Sequence, residues 1–190
     1  MKIYTKTGDN GETGLLGGIR VSKSHLAIIA GGSLDETNSC IGLARSAIEE
    51  HTCFDDVSGC LSQIQNDLFD LGSQVAASLG KSGRAAEFPE SRASELESQI
   101  DTYNAELTPL TAFILPGGSR AGSLLHLARS VCRRSERDVV ALIDAGVERS
   151  LSSELIYLNR LGDLFFVLAR VANTRLKHPE TTWDVGRGGA

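Results

Sequence analysis

Aromatic residues are scarce in this chain: six Phe, three Tyr and one Trp among 190 residues, 5% in all. Each one that a core buries therefore calls for a reason. The longest apolar runs fall far short of the roughly 20 residues that span a bilayer, which excludes a membrane-crossing helix. Basic charge is in deficit, with 19 Lys and Arg against 24 Asp and Glu, a net −5. That argues against a general nucleic-acid binder while leaving room for a local basic cluster that grips phosphate. The four cysteines, Cys40, Cys53, Cys60 and Cys132, form no C-x-x-C and no zinc-like spacing. They are expected to be reduced, buried small hydrophobes in a cytosolic protein. No secretory or transit segment precedes the first motif, so a cytoplasmic location is expected. His25, His51, His126 and His178 never form an E-x-x-H pair, which leaves a di-iron site without ligands. Neither G-x-S-x-G nor H-E-x-x-H occurs, and there is no internal repeat or low-complexity segment.

What is present is ordinary globular composition, 41% hydrophobic and 23% charged, on a chain long enough for one sizeable core. Helical periodicity dominates in five blocks, about 23–50, 55–79, 90–107, 119–145 and 151–177. Ser33 and Glu36 are spaced as a capping box that predicts a local restart after Gly31-Gly32. In the second block Leu61, Ile64, Leu68, Leu71 and Val75 recur at three and four. The third block is the most polar, as an outer helix would be. The fifth is apolar nearly all round and is expected at the centre. An extended apolar piece, "TPLTAFILPGGSR", links the third block to the fourth, and the tail "TTWDVGRGGA" has no periodicity. The expected fold is all-α, a five-helix bundle formed by one domain over 1–190. Its parts are a leader at 1–24, the bundle at 25–177 and a tail at 178–190.

Three stretches carry possible chemistry. The leader, "YTKTGDNGETGLLGG", packs Lys6, Asp9, three threonines and five glycines into fifteen positions. Either it is a flexible or hairpin-like arm, or its amides and Lys6 hold an anion. "GGIRVSKS" approximates a Walker A, but Ser22 stands where the second glycine belongs and no βαβ pattern surrounds it. In the fourth block, Leu124, Ala128, Val131, Ser135 and Leu142 share one face. His126, Arg129, Arg133, Glu136 and Arg137 occupy the other. Those arginines, with Arg134, are either a solvated surface paired as Arg133–Glu136 and Arg134–Asp138, or a phosphate grip. In the fifth block, Asn159, Asp163, Phe166 and Arg170 form one line. It is either a structural or interface network, or one wall of a ligand pocket.

The stretches "YTKTGDNGETGLLGG…RVSK", "LDETNSCIG", "FILPGG", "CRRSER" and "YLNRLGDLFFVLAR", in that order over roughly Lys2 to Asn173, resemble the PduO-type ATP:cob(I)alamin adenosyltransferases. The resemblance implies a ferritin-like, cobalamin-adenosyltransferase-like five-helix bundle with a Gly-rich N-terminal ATP-binding segment. It implies a homotrimer with sites between subunits, transfer of the 5′-deoxyadenosyl group of ATP to cob(I)alamin, and release of triphosphate.

By the same resemblance, Thr5, Lys6, Thr7, Gly8, Thr13 and Gly14 wrap ATP, with Lys23 nearby. Arg133, Glu136 and Arg137 handle the phosphates, Arg134 supports them, and Glu136 takes part in holding Mg²⁺. Asn159 contacts ATP, and Asp35 pairs with Arg133, across a subunit boundary. Phe113 lies beneath the corrin ring and favours four-coordinate cobalt. Arg133, Arg137, Lys6 and Asp35 are the expected catalytic set. The implied partners are a flavin-dependent reductase and an adenosylcobalamin-dependent enzyme. The alternative from another class is a non-catalytic ATP-binding cobalamin carrier. Against the family pattern, Leu26, Ala27 and Ile28 replace charged residues, Thr37 replaces Leu and Gly162 replaces Ser. Gly14 is also unusual. Altered packing of the first helix is expected, with activity kept.

Overall fold

The computed structural model describes residues 2–15, 18–79, 87–147, 149–184 and 186. Most of the polar loop after the second helix, 80–86, lies outside them. The leader folds first into a small antiparallel hairpin of β1 (Glu12–Gly14) and β2 (Arg20–Ser22), with Thr13 opposite Val21. Five helices follow: α1 (Leu26–Ile48), α2 (Asp55–Ala77), α3 (Ser91–Asn104), α4 (Arg120–Asp144) and α5 (Ser152–Arg175). Each lies within a few residues of its predicted block.

Local chemistry explains the helix starts. The His25 imidazole accepts from the Ala27 amide at 3.1 Å and caps α1. Ser119 does the same for α4 through the Gly122 amide at 3.0 Å. Asp55 and Asp56 stand in the first turn of α2, where the helix dipole favours negative charge. The chain turns out of α4 at Gly146, whose φ of 91° suits glycine.

The expected restart within α1 does not occur. Ser33 is buried and donates to the Ala30 carbonyl, as a residue inside a helix does, and α1 runs through both glycines unbroken. Ser33 instead belongs to the seam between α1 and α4. There the Ser135 hydroxyl donates to the Ser33 carbonyl at 2.7 Å and meets the Thr37 hydroxyl at 2.9 Å. The Ser33 carbonyl and the Thr37 and Ser135 hydroxyls satisfy one another in this buried contact between the two helices. Thr37, where the family favours leucine, is fully buried in this seam.

The core is a single cluster. The predicted apolar line of α2 is buried in full, and so are Leu158, Leu161, Leu164, Phe165 and Leu168 of α5. α4 packs against both α1 and α5, α2 against α1, and α3 against α5. α3 buries only Ala93, Leu96 and Tyr103, as an outer helix should. One polar network crosses the bundle. The Tyr157 hydroxyl donates to Asp67 at 2.8 Å, Arg92 pairs with Asp67 at 3.0 Å, and Phe88 stacks edge-on to Tyr157. Among the described residues, no helix is long and apolar enough to cross a membrane. All four cysteines are free, and Cys53 is exposed where a buried thiol was expected.

Candidate functional site

The leader residues are drawn together by the hairpin. Lys23 donates its amide to the Gly11 carbonyl at 2.9 Å, and Arg20 donates to the Thr7 carbonyl at 2.9 Å. The first extends the hairpin by one pair, and the second ties the 5–8 segment back onto β2. The Thr5 and Thr7 hydroxyls meet at 2.9 Å. Gly8 has a steric reason: a methyl group there would stand 3.1 Å from the Glu12 carbonyl and 3.4 Å from the Lys23 ammonium. Glycine keeps that ammonium against the turn. Lys6 holds a left-handed backbone, φ 61°, uncommon for a residue with a side chain, and its ammonium lies 5.9 Å from the Tyr4 ring centroid. Thr13 is half-buried, while Thr5, Lys6, Thr7, Gly14 and Lys23 are exposed.

A second group forms where α4 faces α5. Neither expected surface pair on α4 is present. Glu136 accepts from the Asn159 amide at 2.9 Å, and Arg134 pairs with Glu36 of α1. Arg137 donates only to the Arg133 carbonyl, at 2.9 Å. Arg133 lies over Gly162, where an added methyl would touch its side chain at 3.7 Å. The glycine that departs from the family pattern thus gives the arginine a flat seat on α5. Among the described residues, neither Arg133 nor Arg137 is paired with a carboxylate. Asn159 also accepts from Arg160, which is itself paired with Glu97 at 2.7 Å. Arg134 and Arg160 are thus neutralised, whereas Arg133 and Arg137 are not.

The predicted residues do not all converge within one chain. No hydrogen bond or ion pair among the described residues joins the hairpin to the α4–α5 group. Asp35 of α1 is exposed and lines an open groove of 360 Å³ between α1 and α2, with Leu34, Leu68 and Phe69 among its walls. It forms no pair with Arg133 inside the chain. Phe113 sits apart on the 105–119 connector between α3 and α4, and 78% of its surface is exposed.

Several residues escaped the sequence reading. Asn173 of α5, 1% exposed, accepts from both the amide and the hydroxyl of Ser119 and donates to the Gly117 carbonyl. A side chain at Gly118 or Gly122 would overlap it, so these glycines are required by close approach. The P-G-G-S run was the available signal, but nothing in it named its partner. His126 was read with the arginines on the face of α4 opposite its apolar one, and it is only 5% exposed. Its Nε2 has no hydrogen-bond partner, and its ring meets Phe166 edge-on. Burial, aided by Arg129, holds its pKa below the usual histidine range, so it is neutral at pH 7. Arg129 lies over the same Phe166 ring, at 5.6 Å.

Comparison with known proteins agrees with this geometry. The family model described as cobalamin adenosyltransferase matches residues 3–172. The corrinoid adenosyltransferase of Bacillus subtilis is 47% identical over 175 residues, covering 92% of this chain and 88% of that protein. The corrinoid adenosyltransferase of Mycobacterium leprae is 47% identical over 180 residues, covering 91% and 92%. A solved structure of a variant PduO-type ATP:corrinoid adenosyltransferase from Lactobacillus reuteri, complexed with cobalamin and ATP, superposes with a TM-score of 0.88. It is 35% identical and covers 96% of this chain and 99% of its own. Family model, relatives and fold agree over nearly the whole length, and the chain belongs to the cobalamin adenosyltransferase family.

Proposed function

We propose that this protein transfers the 5′-deoxyadenosyl group of ATP to the cobalt(I) form of cobalamin and releases triphosphate. The observation that carries it is the pair of exposed arginines without carboxylate partners, Arg133 and Arg137, beside the Glu136–Asn159 contact in a chain of net charge −5. An acidic protein gains nothing from two such neighbouring cations unless they meet an anion. The relatives' names, and the ATP and cobalamin in the Lactobacillus reuteri complex, support the choice of substrates.

In this mechanism the chain supplies position and charge rather than a base. Cobalt(I) is itself the nucleophile: its electron pair forms the bond to the ribose C5′ while the C5′–O bond breaks and triphosphate departs. Lys6, Lys23 and the leader amides hold the nucleotide for in-line attack, with Thr5, Thr7, Gly8, Thr13 and Gly14 shaping the wrap. Arg133 and Arg137 stabilise the charge that accumulates on the leaving group, and Arg134, anchored to Glu36, backs them. Asn159 fixes Glu136 and faces the nucleotide. Phe113 offers an apolar face beneath the corrin, which disfavours a lower axial ligand and makes cobalt(II) easier to reduce.

Glu136 suits a magnesium ion that travels with ATP. The described residues contain no group of three or more carboxylate, histidine or cysteine ligands, so phosphate oxygens and water must complete the shell, as is usual for this ion. When bound, magnesium supplies charge to the polyphosphate. A homotrimer belongs to the same proposal. The arginines, the leader and Phe113 all face solvent in one chain, and Asp35 has no cation beside it, so a second copy would wall the site. A flavin-dependent reductase, an adenosylcobalamin-dependent acceptor enzyme and a cytoplasmic setting, which the free thiols suit, complete the proposal.

The test is anaerobic. The protein, ATP, Mg²⁺ and chemically reduced cob(I)alamin are mixed, and visible absorbance, light sensitivity and triphosphate are followed. A photolabile adenosylcobalamin spectrum with one triphosphate per product is expected. ATP binding with neither signal would replace adenosyl transfer with a cobalamin carrier.

A further inference from the structure

The ATP-side residues leave one member of the α5 polar line unused. Arg170 has a side chain only 7% exposed, and it pairs with neither of the neighbouring helices. Its Nε donates to one oxygen of Glu180 at 2.8 Å, and its Nη2 donates to the other at 3.2 Å. The same Nη2 donates to the Thr108 carbonyl at 2.8 Å. Glu180 lies in the tail beyond α5, and Thr108 lies early in the 105–119 connector. One buried guanidinium therefore fastens two segments that are 72 positions apart in sequence, a difference of 180 − 108.

Those two segments then meet each other. The Trp183 amide donates to the Phe113 carbonyl at 2.7 Å, the Leu115 amide donates to the Thr181 carbonyl at 2.8 Å, and Ile114 bridges Thr182 in antiparallel sense. The Phe113 and Trp183 rings stand edge to face with centroids 6.2 Å apart. Both rings stay open, 78% and 51% exposed. The far end of the connector is held by Asn173, three residues along α5 from Arg170. A segment pinned at both ends and along its middle, yet keeping two aromatic rings in water, is not packing a core. It presents apolar surface.

We infer that Arg170 is a positioning residue for the corrinoid half of the reaction. Through Glu180 and Thr108 it fixes the tail and the connector together, and so holds Trp183 against Phe113 as a two-ring platform for a flat macrocycle. Arg170 touches no reacting atom. The inference rests on the role proposed for Phe113 and extends it to the tail.

The tail supplies its own reporter, because Trp183 is the sole tryptophan. A corrin absorbs across the near-ultraviolet and visible range and quenches indole emission at short distance. The full chain and the variants Glu180→Gln and Trp183→Ala are compared, with melting temperature recorded for each. Cob(II)alamin is titrated in the presence of ATP, with tryptophan emission and the electronic signature of four-coordinate cobalt(II) followed. KM is measured separately for ATP and for cob(I)alamin. Saturable quenching is expected in the unaltered chain. In Glu180→Gln the KM for cobalamin should rise roughly 10-fold or more and the four-coordinate signal should fall, with the KM for ATP within about twofold. Unchanged cobalamin KM and cobalt signal in both folded variants would reduce Arg170 to a tether for the tail. A parallel rise in both KM values with a lowered melting temperature would make its role merely structural, and would also overturn the inference. If the unaltered chain makes no adenosylcobalamin, adenosyl transfer itself fails. Quenching of Trp183 by cobalamin, and its dependence on Glu180, then still decides the platform.

Discussion

The Asn159 side chain donates from α5 to the Glu136 carboxylate on α4 at 2.9 Å, and this takes Glu136 away from the arginine three positions before it. Among the described residues, Arg133 has no carboxylate partner of its own. A helix surface built for stability would pair residues 133 and 136 along α4. Here the pairing runs across helices instead, and the cation stays available.

Arg137 should therefore matter to turnover and not to folding. Arg137→Ala is expected to lower kcat/KM about 10²- to 10³-fold, the range for losing one preorganised donor to a developing anion. Its melting temperature should stay close to that of the unaltered protein, because the side chain is exposed and bonds only the Arg133 carbonyl. Near-normal turnover would remove Arg137 from the site.

Phe113 separates the two cobalt states. Phe113→Ala should slow the reaction that starts from cobalt(II) far more than the reaction started from chemically reduced cobalt(I). With 78% of the residue exposed, its loss should scarcely change stability. Equal losses from both starting states would mean that the ring only packs.

Arg175 is a fastener at the C-terminal end of α5. It bonds Asp56 at 2.7 and 2.9 Å, Glu106 at 2.7 and 3.1 Å and the Cys53 carbonyl at 2.6 Å, between the Phe54 and Tyr103 rings. Arg175→Met should cost about 2–3 kcal/mol in urea unfolding at pH 7. That is less than for a fully buried pair, because both carboxylates keep contact with water. The hydrogen bond from Arg175 holds the Asp56 carboxyl below its ordinary 3.8. A depressed folded pKa stabilises the fold above pH 3.8, and that contribution fades as pH falls through the lower folded value. The variant should accordingly lose less stability than the parent between pH 4 and pH 2, as acid titration followed by circular dichroism would record.

Gly122 tests the Asn173 clamp. An alanine methyl at this position would overlap the Asn173 side chain and displace it from Ser119 and Gly117. Gly122→Ala is expected to cost about 3 kcal/mol, through overpacking together with buried backbone groups left unpaired. Urea unfolding that matches the parent would mean that Asn173 has room to retreat.

The helices were legible in the sequence because their apolar spacing is local. Leu61 through Val75 state α2 without help from any other segment. The arginines of α4 were legible as a cluster, but their partners were not. Arg134 finds Glu36 at 98 positions' separation, where the i+4 rule had offered Asp138. The capping box at Ser33 and Glu36 misled because burial against α4 outweighs a local preference. The tail was opaque for a further reason. Its backbone pairing with the connector, two hydrogen bonds around one bridge, is too short to set up a period of two, and the Glu180 that anchors it looks like any surface carboxylate.

No disulfide ties the described chain together, since all four thiols are free. Cobalt(I) exists only at low potentials, in the company of strong reductants that would open a reducible crosslink. A fold held by helix packing, hydroxyl seams and buried arginine fasteners has nothing for such reductants to cut. The protein and the reaction proposed for it can thus share one electron-rich environment without either limiting the other.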